Sequence, residues 1–152
     1  MWFRVANRLV HGQVIEAWLP YTGAKHLVVA NDALARDVLR QQIVSLAVPQ
    51  RIVTHFIPVH ELLLTLATCG DDCFVLFATC RDARRACDAG VAMNVLNMCN
   101  LHYAPDKLQI LPHVALSAED REDLHILREH LVQLDFRSVP TEAMRGSHEL
   151  LF

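Results

Sequence analysis

Four residues close to the start of the chain have side chains that together could handle a phosphoryl group: Arg8, His11, Gly12 and Gln13. A neutral imidazole is a nucleophile and can carry such a group as a covalent intermediate. A guanidinium three residues away can bind the oxygens of the same group through its planar N–H donors. Glycine allows close backbone approach to a ligand, and the glutamine amide is a further donor. We therefore predict that His11 is the catalytic residue and that the other three bind phosphate.

The segments on either side of His11 place it between a strand and a helix. The apolar run Trp2–Ala6 is short enough to be a buried strand, and Gly12–Leu19 has apolar residues at helical spacing. The first turn of a helix presents unpaired backbone N–H groups, which attract anions. The phosphoryl group should therefore lie at the N-terminus of this helix.

Short apolar runs alternate with amphipathic stretches along the rest of the chain, which predicts an α/β fold with a mainly parallel sheet. The predicted strands are Trp2–Ala6, His26–Ala30, Arg51–Ile57, Cys73–Ala78, Met93–Met98, Gln109–Leu111 and Leu134–Val139. The predicted helices after the first are Asp32–Ala47, Val59–Thr68, Arg81–Ala89, Ser117–Leu131 and Thr141–Leu150. Continuously apolar strands are typical of sheets buried on both faces. We therefore expect one three-layer domain, residues 1–152, with helices on both sides of the sheet.

Further polar residues stand where they could complete a crevice around His11. Loops that leave the carboxyl ends of parallel strands open on one edge of the sheet. On this basis the candidates are Asn7, Asp32, Thr79, Arg81 and Asn100. Helix capping is the alternative role for Asp32 and Thr79, which each follow a predicted strand and precede a helix.

Composition excludes several classes of partner. The net charge is −3 with histidine neutral, and no long run of basic residues exists, which argues against nucleic-acid binding. No apolar stretch approaches the roughly 18 residues of a membrane span. Arg4 and Arg8 interrupt the first apolar segment, unlike a signal peptide. These features predict a cytoplasmic protein.

The five cysteines do not have the spacing of a zinc site. They stand at 69, 73, 80, 87 and 99, without a CxxC pair. Cys69 and Cys73 could recruit His55 or His60, but Cys73 begins a strand-like run. We therefore expect reduced, packed cysteines, and neither metal nor cofactor.

The run Asn7–Val14 (NRLVHGQV) resembles the phosphorylation-site motif of IIB subunits of the bacterial sugar phosphotransferase system, in particular the mannose/fructose/sorbose family. The similarity continues in order along nearly the whole chain, at Val28–Asp32, Ala89–Val91, Asn97–His102 and Asp135–Pro140. The first motif is quite specific, whereas the later ones support it.

The resemblance implies a mostly parallel sheet of about seven strands, with the first strand between the fourth and fifth. It implies that His11 accepts phosphate from a phosphohistidine on a IIA domain, with Arg8 as the phosphate-binding cation. The membrane subunits IIC and IID would hold the sugar that receives it. Because the donor is a protein phosphohistidine, no metal is required. We therefore expect these partners to bring the chain to the inner face of the membrane. Assembly into a homo-oligomer is a separate expectation.

Two positions depart from the family pattern. Ala6 stands where the family usually has an acidic residue, and Cys99 where it usually has glycine. These changes leave a second hypothesis open, in which phosphorylation of His11 switches binding to a partner protein without sugar transport. A third is a small-molecule-binding α/β domain without phosphate chemistry. The sequence does not specify a sugar.

Overall fold

The structure is a computed structural model that describes residues 1–144. A six-stranded parallel sheet forms its centre. Its strands are β1 (Trp2–Val5), β2 (His26–Ala30), β3 (Val53–Ile57), β4 (Cys73–Phe77), β5 (Val95–Met98) and β8 (Gln133–Asp135). They lie in the order β3-β2-β4-β1-β5-β8. The shorter strands β6 (Leu108–Leu111) and β7 (Val114–Leu116) form a separate antiparallel hairpin.

Helices cover both faces of the sheet. They are a π-helix (Val14–Trp18) that continues into α1 (Leu19–Thr22), α2 (Asp32–Ala35), α3 (Val38–Ala47), a 3-10 turn (Val59–Glu61) before α4 (Leu62–Cys69), α5 (Cys80–Asp88) and α6 (Ala118–Glu129). Apolar residues of α4, α5 and α6 pack on one face, and those of the π-helix, α1 and α2 on the other. This confirms the predicted α/β architecture with helices on both sides of a mostly parallel sheet.

The sixth predicted strand, Gln109–Leu111, is not part of the central sheet. It lies in β6, which turns through Pro112 and His113 and pairs antiparallel with β7. A two-residue connection permits only an antiparallel neighbour, since a parallel one needs a crossover of a dozen or more residues. The prediction of seven strands in one sheet was wrong in this respect.

The predicted helix Asp32–Ala47 is two helices. The carboxylate of Asp37 accepts a hydrogen bond from the backbone N–H of Arg40 and thereby begins α3 anew. The apolar side of α3 is exposed instead of packed, with Leu46 87% exposed. The helix predicted over Thr141–Leu150 does not include residues 141–144, and its remainder lies outside the described residues.

The strand order places the site. β1 lies between β4 and β5, as the family resemblance implies, so the loops after these three strands meet at one edge. Within residues 1–144, no helix is long and apolar enough to cross a membrane.

Candidate functional site

His11 stands at the point where the loop after β1 becomes helical. Its carbonyl accepts a hydrogen bond from the N–H of Ile15 at 3.1 Å, and residues 12 and 13 are already helical. The amides of Gly12 and Gln13 therefore belong to the first turn, where N–H groups have no partner within the helix. A Cβ built on Gly12 would meet no heavy atom within 4 Å. The start of this helix is open to an incoming group.

Asn7 ties the loop after β1 to both neighbouring loops. Its Nδ2 donates to the carbonyl of Ala78, beyond β4, at 3.1 Å. Its Oδ1 accepts from the N–H of His102, beyond β5, at 2.8 Å. Backbone bonds from Ala6 to Phe77 and from Asn7 to Asn100 reinforce these links. Asn7 therefore fixes the frame of the crevice.

Two residues in these loops have left-handed backbone conformations. Leu9 has φ 56° and Asn100 has φ 55°. Asparagine tolerates this region, but for leucine it costs of order 1 kcal/mol or more. The strain at Leu9, which is buried, is maintained by the surrounding packing. Both residues hold the turn that presents His11.

A chain of hydrogen bonds leads from a buried arginine to the His11 ring. Arg4 donates from its NH2 group to Oε1 of Gln13 at 2.9 Å, and Nδ2 of Asn100 donates to the same oxygen at 2.8 Å. Nδ2 of Asn100 also lies 3.3 Å from Nε2 of His11. Since Arg4 can only donate, the order of donors fixes Nε2 of His11 as an acceptor. The chain therefore orients the imidazole and selects its tautomer.

Arg4 is a fully buried cation without a carboxylate partner among the described residues. Its NH1 group donates to Oδ1 of Asn97, and its guanidinium lies 5.2 Å from the ring centroid of Trp18. Its Nε has no hydrogen-bond partner within the described part of the chain. Burial lowers the pKa of Arg4, but an arginine in a protein keeps its charge. A positive charge therefore lies behind His11, and Asp135, the buried carboxylate that acts on it, is itself paired with Arg137.

The pKa of His11 falls to about 4. Partial burial is the main cause, followed by the positive charges of Arg4 and Arg8 and by the proximity of His102. His11 is consequently neutral at physiological pH, and its unprotonated nitrogen has an electron pair that can attack once the hydrogen bond from Asn100 is released. The same cations that disfavour a proton would favour an anionic phosphoryl group.

Arg8 is the exposed member of the site. Within residues 1–144 it forms no hydrogen bond or ion pair. It is therefore free to bind an incoming anion. The Oε1 atom of Gln13 accepts from Arg4 and Asn100, so phosphate binding by this side chain would have to use its Nε2 group and stays a prediction.

Three of the predicted crevice residues have other partners. The carboxylate of Asp32 accepts from the N–H of Val59 and pairs with Arg85. The hydroxyl of Thr79 caps α5 by accepting from the N–H of Asp82. The Nε group of Arg81 pairs with the buried carboxylate of Asp123 on α6. Each of them has a capping or ion-pairing partner of its own, and their place in the His11 crevice stays a prediction.

Sequence reasoning missed Arg4, although a signal was present. An arginine within a four-residue buried strand must have partners in the interior, because charged side chains are rarely buried without them. His102 was noticed only as a polar residue after the fifth strand. Cys99 is fully buried and contacts Arg4, so it fills space beside the cation and does not merely crowd the loop.

The family described as the PTS system sorbose subfamily IIB component matches residues 1–152. The chain is 30% identical to the N-acetylgalactosamine-specific phosphotransferase enzyme IIB component 2 of Escherichia coli, over 97% of this chain and 96% of the relative. It is 25% identical to the mannose-specific EIIAB component of Escherichia coli, covering 91% of this chain and 44% of that longer protein.

Solved structures give the same result for the fold. A PTS-dependent N-acetyl-galactosamine-IIB component from Streptococcus pyogenes superposes with a TM-score of 0.91 at 22% identity, covering 98% of this chain and 95% of that one. The IIB domain of the sorbose permease from Klebsiella pneumoniae gives 0.89 at 23% identity, with 97% and 93% covered. The chain belongs to the sorbose subfamily of phosphotransferase-system IIB components, phosphotransferases that take a phosphoryl group from IIA and transfer it to the sugar.

Proposed function

We propose that His11 is the residue that carries the phosphoryl group. The observation that carries this proposal is a neutral imidazole, with a pKa of about 4, at the open start of a helix and beside Arg4 and Arg8. A histidine in this setting combines a nucleophilic electron pair with a positively charged surrounding. Nothing in the geometry favours a regulatory role over transfer to sugar.

In the first step, a ring nitrogen of neutral His11 attacks the phosphorus of the donor phosphohistidine. The new N–P bond forms as the N–P bond to the donor imidazole breaks, and the donor ring keeps that electron pair. Arg8 and the amides of Gly12 and Gln13 would bind the equatorial oxygens, where the charge of the transition state is spread. Arg4, buried behind His11, contributes its positive charge at longer range and does not have to move.

In the second step, a sugar hydroxyl oxygen attacks the phosphorus of phosphorylated His11. The N–P bond breaks, its electron pair returns to the ring, and the hydroxyl proton passes to solvent. The low pKa of His11 is helpful here too, because the leaving imidazole does not need a proton to be stable. No metal is needed in either step, since arginine and backbone N–H groups supply the positive charge.

The partners follow from these two steps. We propose a phosphorylated IIA domain as donor, and membrane subunits IIC and IID as holders of the sugar, with this chain on the cytoplasmic side. The choice of sugar would lie with the membrane subunits. Assembly into a homo-oligomer remains a prediction.

The test is a phosphoenolpyruvate-driven relay, with peptide mapping by mass spectrometry under alkaline conditions that preserve phosphohistidine. Wild-type protein should carry phosphate on the peptide that contains His11. His11→Ala should carry none while keeping its circular dichroism spectrum, and His60→Ala, at an exposed histidine on the 3-10 turn, should label fully. Full labelling of His11→Ala would refute the assignment.

A further inference from the structure

Three potential metal ligands meet at the amino end of the sheet, opposite the edge that bears His11. His26 begins β2 and is the register neighbour of Val53 on β3. His55 is two residues beyond Val53, so the two imidazoles project from the same face of the sheet. Cys69 ends α4, which packs on this face. Segments distant in sequence therefore converge here.

The distances between the ligand atoms are close to those of a tetrahedral zinc site. Nδ1 of His26 lies 3.0 Å from Nε2 of His55, and Sγ of Cys69 lies 3.5 Å from the same Nε2. All three ligand atoms lie within 4.8 Å of one another. Zn–N bonds of about 2.0 Å and a Zn–S bond of about 2.3 Å give N···N and N···S separations of roughly 3.3 and 3.5 Å at tetrahedral angles. The separation between His55 and Cys69 already fits, the two imidazoles have to move apart by about 0.3 Å, and the third pair, His26 and Cys69, has to stand at about 3.5 Å within its limit of 4.8 Å.

Hydrogen bonding accounts for one of these contacts but not for both. Nε2 of an imidazole has one in-plane position, which holds either a proton or an electron pair. Two groups, His26 and Cys69, nevertheless approach Nε2 of His55. An ion between the three atoms would satisfy all of them at once.

The chemistry of the set selects the class of ion. Two imidazoles and a thiolate are ligands for zinc and related transition metals, whereas magnesium and calcium prefer oxygen. The three residues are half-buried and can therefore be reached by an ion from solvent.

We propose that His26, His55 and Cys69 bind one Zn²⁺ ion, with water in the fourth position. On binding, the thiol of Cys69 loses its proton to solvent. The thiol of Cys73 interacts with Cys69 and donates to the carbonyl of Gly70, and it is not among the three ligand atoms that lie within 4.8 Å of one another. The ion would tie the edge strand β3 and the end of α4 to β2. The proposal revises the sequence-based expectation of no metal, in which His26 was not considered.

The test uses the full chain without an affinity tag, treated with a chelator and then dialysed. Titration calorimetry should show one equivalent of Zn²⁺ bound, and Co²⁺ should give the visible bands of tetrahedral coordination with a thiolate-to-cobalt charge-transfer band. Zn²⁺ should also raise the Tm, since a ligand that binds the folded state stabilises it.

Cys69→Ser and His55→Gln should weaken Zn²⁺ binding by more than the roughly 10- to 100-fold that is typical of changes outside the ligand set. Cys87→Ser, at another half-buried cysteine, and His60→Gln, at an exposed histidine, are matched controls that should bind as wild type does. Failure of the wild-type protein to bind one equivalent would overturn the proposal without involving any variant. So would a tetrahedral cobalt spectrum that persists in a folded Cys69→Ser protein.

Discussion

The two ends of the parallel sheet hold histidines in opposite surroundings. At the carboxyl edge, His11 lies near Asn100, the exposed Arg8 and the buried Arg4. At the amino end, His26 and His55 face each other and a cysteine thiol. Burial lowers the pKa of both His11 and His55. What differs is the charge of the neighbours: cations at one end prepare a neutral imidazole for an anion, and electron-pair donors at the other prepare it for a metal ion.

The comparison shows that a neutral histidine has no fixed role until its neighbours are known. His11 has cations and unpaired N–H groups in reach, so a phosphoryl group would be held from several sides. The hydrogen-bond contacts that the structure gives for the His55 ring are with His26 and Cys69, so neither an arginine nor a lysine is among them. The following predictions test this difference, beginning with the largest effect.

Removing the exposed cation should have the largest effect on transfer. Arg8→Ala should slow phosphorylation by about 10²- to 10³-fold, the cost of losing one donor to the transition-state oxygens. Arg8→Lys should restore only part of the rate, because it keeps the charge but loses the planar fork. Stopped relay assays measure both, with exposed Arg40→Ala on α3 as the control. A wild-type rate in Arg8→Ala would show that Arg8 does not stabilise the transition state of transfer.

The second prediction concerns the orientation of the ring. Asn100→Gly removes the amide that contacts His11 while glycine accepts the φ of 55° at this position. We expect a loss of roughly 10²-fold in transfer rate, the order that misplacement of a reacting group can cost. Asn100→Ala should in addition have a lower free energy of unfolding, because alanine is strained in the left-handed conformation at this position. A transfer rate unchanged in Asn100→Gly would mean that ring orientation does not depend on this contact.

The third prediction is a pH dependence. With a pKa of about 4, His11 stays neutral in about nine-tenths of molecules at pH 5, whereas a histidine of ordinary pKa would be almost fully protonated there. Between pH 6.5 and 4 the unfolded chain binds a proton at His11 that the folded chain does not. The free energy of unfolding should therefore decrease as pH falls through this window. His11→Gln should flatten that decrease, as measured by urea unfolding at several pH values. An equal slope in the variant would contradict the lowered pKa.

The smallest effect is expected at Gly12. Its Cβ direction is open and its φ is not in the left-handed region, so Gly12→Ala should leave stability unchanged or raise it by up to about 1 kcal/mol. Because the added methyl group would stand at the mouth of the site, transfer should fall, but less than in Arg8→Ala. Thermal unfolding and the relay assay separate the two effects. A large loss of stability would show that glycine is required by the backbone itself.

The sequence predicted the fold well where patterns are local. Continuously apolar strands and helical spacing identified the layers, and the run from Asn7 to Val14 located His11. Two of its failures concern single local interactions that residue patterns do not reveal. The break at Asp37 depends on one capping bond, and the hairpin β6–β7 on a two-residue turn. A further limit is set by a tertiary contact. Arg81 appeared suited to the crevice, but its direction is set by Asp123 on α6, a residue 42 positions away.

The proposed zinc ligands show the same limit of reasoning from sequence. Cys69 and His55 are 14 positions apart, and His26 is 29 positions before His55. No spacing rule joins them, and only the register of β2 with β3 and the end of α4 bring them together. No sequence motif predicts that Arg4 supports the His11 site, because its partners come from β5 and from the helix after His11.

The measurement that tests the contrast most directly is histidine-specific ¹⁵N NMR of the full chain, recorded before and after phosphorylation by the relay, and separately with one equivalent of Zn²⁺. Phosphorylation should change the ring nitrogens of His11 and leave those of His26 and His55 in place. Zinc should change His26 and His55 and leave His11 in place. A phosphorylation-dependent shift at His26 or His55 with none at His11 would contradict the account.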